Sequence, residues 1–98
     1  MHTEWWVAAL GQHIAWARLR VREAGTAEVF DCDGRTIPYE DEHSARAALM
    51  DAEFHAFDGL DDEDAARLGF ALGEVEPPAA ADDEALRGLM VQPLPRRQ

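Results

Sequence analysis

Apolar and polar positions alternate from Ile14 to Val21, where Ala15, Ala17, Leu19 and Val21 interleave with Trp16, Arg18 and Arg20. A period of two sends successive side chains to opposite faces of an extended chain, so the segment reads as a strand with Leu19 and Val21 turned inward. Ala27 to Cys32 repeats the β-type pattern around Val29 and Phe30, and Arg35 to Tyr39 follows as a third strand. Ala24-Gly25 and Asp33-Gly34 separate the three runs. Asp-Gly is the stronger signal, because a two-residue type I′ turn needs φ > 0 at both central positions. With two-residue turns at both places, counting sets Leu19 opposite Phe30 and Phe30 opposite Ile37, with Val21, Glu28 and Tyr39 in the adjacent row. Leu19, Phe30 and Ile37 then share one face, and Trp16, Arg18, Arg20, Val29, Asp31 and Thr36 the other. Pro38 has no N–H to offer a ladder, which suits an edge strand.

The pattern then changes period. Ala45, Ala48, Leu49, Ala52 and Ala56 recur at spacings of three and four, the stripe of an amphipathic helix, with Asp41 or Ser44 as its cap and Phe54 and Phe57 flanking its end. Gly59 fits a stop. Asp61, followed by Glu63 and Asp64, opens a second short helix that carries Ala65 and Leu68 inward and ends near Gly69. From Gly73 the chain runs through Pro77-Pro78 and three alanines, an extended linker, before a short third helix over 82–90 that uses Leu86, Leu89 and Met90. The last residues, through Arg96-Arg97-Gln98, read as disordered. Residues 5–10, Trp5 to Leu10, read either as a short helix or as a fourth strand that turns back across Gly11-Gln12, and the strand is preferred.

These elements describe an α+β fold: a three- or four-stranded antiparallel meander covered on one face by one long and one or two short helices. Residues 1–73 form a single compact domain, and 74–98 are a Pro/Ala/acidic linker with a loosely attached tail. No internal repeat is present.

Composition changes this picture in three ways. All nine basic residues of the 98 are Arg, with no Lys and no Asn, which a GC-rich bacterial genome explains more simply than selection for guanidinium chemistry. A single cysteine, Cys32, leaves no internal disulfide, and together with the absence of a cationic, cleavable leader or a long apolar run it points to the cytoplasm and away from the membrane. The net charge is −11, which opposes direct nucleic-acid binding. That charge is local. Between Glu40 and Glu84 fifteen carboxylates face only Arg46 and Arg67, whereas His13 to Ile37 balances four Arg with four acids.

Candidate chemistry is sparse. Asp31-Cys32-Asp33-Gly34 with Glu40 matches part of a calcium loop, yet Val29 falls on the first ligand position and the flanking helix is missing, so the segment reads as a hairpin. His2, His13, His43 and His55 lack metal-ligand spacing. Ser44 beside His43 is placed to cap a helix, since neighbours on a helix point about 100° apart. Cys32 next to Arg35 is the one nucleophile with an argument behind it. No catalytic, metal or cofactor residue is assigned. Three tryptophans near the N-terminus and the acidic helices define a candidate interaction surface: Trp5, Trp6, Trp16, Arg18, Arg20, Asp61, Asp62 and Asp64. The reading that follows is a non-catalytic protein-interaction module or small homo-oligomer. Its alternatives are a thiol-dependent enzyme or redox protein using Cys32, and an acidic nucleic-acid mimic.

Overall fold

The computed structural model describes residues 1–94; the expectation of a disordered end at Arg96-Arg97-Gln98 lies outside the described residues. The N-terminal segment is a strand. β1 (His2–Leu10) and β2 (His13–Val21) pair antiparallel along their whole lengths, from His2↔Val21 to Leu10↔His13. Gly11 takes φ +62° in the two-residue connection, a value that costs little only without a Cβ.

β3 (Ala27–Phe30) and β4 (Thr36–Tyr39) continue the meander, but both registers differ by one residue from simple counting: Leu19 faces Val29, and Val29 faces Ile37. Loop length is the cause. The Arg22 N–H donates to the Thr26 carbonyl at 2.8 Å and the Asp31 N–H to the Arg35 carbonyl at 3.0 Å, so each hairpin closes around three residues instead of two. Gly25 and Gly34 occupy the third place with φ +93° and +82°, while Asp33 stays at negative φ. A slip of one residue exchanges faces. Val29 joins Leu19 and Ile37 on one side, and Phe30 joins Trp16 and Arg18 on the other.

Among the described residues the sheet has six strands where three or four were expected. β5 (His55–Ala56) pairs with β1 at Trp6 and Val7, and β6 (Val91–Pro93) pairs with β2 at His13 to Ala15, the stretch of that edge that β3 does not reach. The order is β4-β3-β2-β1-β5, with β6 beside β2.

Three helices begin alike. α1 (Glu42–Asp51), α2 (Asp62–Leu68) and α3 (Asp83–Arg87) are capped by Asp41, Asp61 and Asp82, whose carboxylates accept from the N–H groups of Ser44, Asp64 and Ala85. α1 stops before Ala52 and Ala56, short of the expected helix. The Glu53 N–H donates to the Met50 carbonyl and the Phe54 N–H to the Leu49 carbonyl, both at 2.9 Å, with Glu53 at φ +67°. The same pair of bonds ends α2 at Gly69, φ +100°, where glycine meets the requirement without strain. Released by this ending, Phe54 turns the chain back so that His55–Ala56 can reach β1.

Both faces of the sheet are covered, which corrects the expectation of cover on one. α1 lays Ala45 and Leu49 against Trp6, Ala17, Leu19 and Val29. The opposite face, with Val7, Ile14, Trp16 and Phe30, is covered by Ala65, Phe70, Leu86 and Met90. Leu86 and Met90 belong to the segment expected to hang loosely, yet Met90 is fully buried. An uncovered face carrying Trp16 and Phe30 would leave a large apolar area in water, so the chain returns to close it.

Two outcomes are expected in urea unfolding of the full chain. Leu86→Ala and Met90→Ala should each lower stability by about 2–4 kcal/mol, and a loss under about 0.5 kcal/mol would place the tail outside the core. Glu53→Gly should raise stability by about 0.5–1 kcal/mol by relieving the left-handed residue, and a loss would mean that its side chain matters more than its backbone.

Candidate functional site

The alternation along β1 divides the tryptophans. Trp5 and Val7 share a face with Trp16, while Trp6 lies on the α1 side. Trp16 is fully buried, its indole Nε1–H donating to Gln92 Oε1 at 3.1 Å, its backbone N–H to the Met90 carbonyl at 2.8 Å, and its ring meeting Trp5 and Phe57 edge-on at 6.1 and 5.1 Å. Trp6 is 3 % exposed and Trp5 is half-buried. The aromatic patch read from the sequence is therefore mostly core, spread over two layers.

Arg18 is also inside. It is 6 % exposed, lies 5.1 Å from the centroid of Phe30, and donates through Nη1 and Nη2 to the two carboxylate oxygens of Asp83 at 2.9 and 3.2 Å. A guanidinium buried on a sheet needs a carboxylate brought to it, and the start of α3 brings one. Those hydrogen bonds hold the Asp83 carboxyl below the usual carboxylate range, and the charge of Arg20 acts in the same direction. Among the described residues the Nε atoms of Arg18 and Arg20 are buried without a hydrogen-bond partner.

A second ion-pair cluster joins β1 to α1. Arg46 donates from Nε and Nη2 to the two oxygens of Glu4, which also accepts from Trp6 Nε1 at 3.1 Å and lies 2.8 Å from His2 Nε2. The hydrogen bonds from Arg46, ahead of those from His2 and Trp6, hold the Glu4 carboxyl at about 2 against an ordinary 4.5.

Cys32 sits in the β3–β4 loop at the mouth of a cleft of about 220 Å³ between the sheet and α1, with Val29, Ile37, Tyr39, Leu49 and Phe54 among its walls. Burial pushes the thiol up, and Asp33 and Asp31 push it further; Arg35 opposes them weakly. Arg35 is engaged by both aspartates instead, at 3.3 Å from Asp33 and 3.6 Å from Asp31. Asp31 accepts from the backbone N–H groups of Asp33 and Arg35, both at 3.0 Å, so the carboxylate that resembled a calcium ligand shapes the hairpin loop. Among the described residues no three His, Cys, Asp or Glu side chains converge as a metal site, and no helix is long and apolar enough to cross a membrane.

The acidic candidates lie elsewhere. Asp61 caps α2, Asp62 is exposed, and Asp64 stands 3.8 Å from Arg67. Asp64 alone of the three lines a feature the sequence reading missed, in a hollow that Trp6 also lines. Three hollows of about 370, 260 and 180 Å³ run in series between the end of α1 and the start of α2. The first two share Trp6, Met50 and Ala56, and the last two share His55, Leu60 and Asp64, so they form one groove along β5. The signal for it was an apolar Met50 on the outside of α1 followed by a stretch, Asp51 to Asp64, with seven carboxylates and no Arg or Lys.

Two substitutions test the ion pairs. Asp83→Ala, which strands Arg18, should cost about 2 kcal/mol, with part recovered when Arg18→Met is added; full additivity would deny the pairing. Because folding lowers the Glu4 pKa, its stabilisation is present above pH 4.5 and fades as the pH falls towards 2. Glu4→Gln should therefore cost about 1–2 kcal/mol at pH 7, tempered by solvent at this half-buried pair, with the difference from the parent protein shrinking in acid; a constant difference would contradict the assignment. Comparison with known protein families, curated proteins and solved structures finds no match for this chain.

Proposed function

We infer that this protein is a non-catalytic interaction module that binds a basic protein partner through its acidic helical surface. The observation that carries the reading is the division of labour between layers. The sheet spends its aromatic residues on internal cover, while Glu42, Asp51, Asp58, Asp61, Asp62 and Glu63 stand exposed around α1 and α2. A field of one sign steers an oppositely charged partner and discourages others. The same field opposes a second copy, since each chain carries −11, so a different protein fits better than self-association. The thiol alternative loses support from the environment of Cys32, because a half-buried sulfur flanked by two aspartates is held as the neutral thiol, which is the poor nucleophile.

Replacing Asp61, Asp62 and Asp64 together with Asn tests this reading, because Asn caps a helix as well as Asp and the fold is kept. Affinity capture at low salt should retain partners that are released at high salt and are lost with the triple variant. Retention unchanged by both salt and substitution would overturn the reading, as would a strict monomer that captures nothing.

A further inference from the structure

The cleft between the sheet and α1 is left open by small side chains. Three alanines face it, Ala17 from β2 and Ala48 and Ala52 from the α1 side, so a space of about 220 Å³ remains where longer side chains would close it. Val29, Leu49 and Phe54 form most of the remaining wall. Walls of aliphatic and aromatic groups give water too few hydrogen-bond partners to hold it, and a cavity of about 150 Å³ of that kind takes benzene. In proportion, this one takes about nine non-hydrogen atoms, the size of two fused rings.

The mouth of the cleft defines the other half of a ligand. Asp31, Cys32 and Asp33 line it together. The two carboxylates share one guanidinium, that of Arg35, so a unit of negative charge is left over where the cleft opens. The thiol between them registers that field, since both aspartates push it up and Arg35 offsets them only weakly. Asp33 and Arg35 are each 70 % exposed, so water screens their pair and a second cation can share the carboxylate at little cost. We propose that this cleft binds a small aromatic amine, its ring system seated between Ala48 and Val29 and its ammonium beside Asp31 and Asp33. Apolar walls with one or two placed polar groups are the general form of a small-molecule site. The charge of −11 on the chain favours the cation and opposes an acid of the same shape. The site is separate from the surface assigned to a basic protein partner, because Asp61, Asp62 and Asp64 do not line it, and either assignment can fail alone.

Tryptamine, indole and indole-3-propionate share a ring system and differ in charge. Titrating each into the full chain, with the backbone amide NMR shifts of Val29, Leu49 and Phe54 as readout, separates the two halves of the site. Tryptamine should bind, indole about fivefold more weakly, and the propionate more weakly still. Ala48→Leu, which fills the cleft, should weaken tryptamine by at least about tenfold while the urea midpoint stays level or rises. Asp33→Asn should weaken tryptamine by about threefold and leave indole unchanged. Met50→Ser, whose position lines the separate groove, should change neither by more than about twofold. Bound tryptamine should also slow the alkylation of Cys32 by iodoacetamide, because it occupies the mouth where the thiol stands. No binding of tryptamine, binding that survives Ala48→Leu, or equal affinity for tryptamine and either of the other two compounds would overturn the proposal. So would weakening by Met50→Ser in place of Ala48→Leu, which would move the binding to the groove.

Discussion

Six consecutive residues of β2, Ile14 to Leu19, are buried, and the rest of the architecture answers that constraint. A strand shielded from water must have its backbone groups paired on both edges and its side chains covered on both faces. β1 fills one edge. β3 fills half of the other, and β6 returns from the far end of the chain to fill the remainder. α1 covers the face of Ala17 and Leu19; Phe70, Leu86 and Met90 cover that of Ile14 and Trp16. Arg18 is one of the six, so the cover on its side must also deliver a carboxylate, and Asp83 does so from the first turn of α3. Packing and electrostatics thus make the same demand of the same segment.

That demand also decides where charge is left over. Glu4, Glu28, Asp31 and Asp83 are engaged with arginines, and Asp41, Asp61 and Asp82 are engaged as caps. Asp51, Asp58 and Asp62, which have no such duty, stand exposed around the groove that β5 creates. Arg18 and Arg46 are committed to pairs that tie the sheet to α3 and α1, and Arg67, the arginine on α2, is already paired with Glu63 and Asp64. The acidic groove is therefore a by-product of how the sheet is stabilised as much as a feature in its own right.

Much of this was legible in local pattern. Period two located β2, β3 and β4, the shift to a spacing of three and four located α1, and Asp before a helical stripe located the start of α2 and, with Ser44 as the alternative, the cap of α1, because those signals act within a few residues. What failed acts over longer distances or through a single dihedral. Asp33-Gly34 looks like a two-residue turn, and only the closing bond between Asp31 and Arg35 reveals the third loop residue that shifts the register. Ala52 and Ala56 keep the helical spacing, but the left-handed Glu53 ends α1 first, and nothing in a glutamate announces that conformation. β5 is two residues long and carries no strand pattern of its own, so the groove beside it was invisible. The cover over Trp16 comes from more than seventy residues away, as the bond to Gln92 shows, beyond the reach of any periodicity.

The central claim is that the C-terminal segment is an integral wall of the β2 core. Native-state hydrogen exchange reads it directly at the Trp16 amide, which donates to the Met90 carbonyl at 2.8 Å, and at the Leu94 amide, which donates to the Gln12 carbonyl at 2.9 Å. If the account is right, both exchange only through the same global opening that releases the Leu19 amide in the middle of the sheet. Exchange of Trp16 and Leu94 through a separate, lower-energy opening while Leu19 stays protected would contradict it.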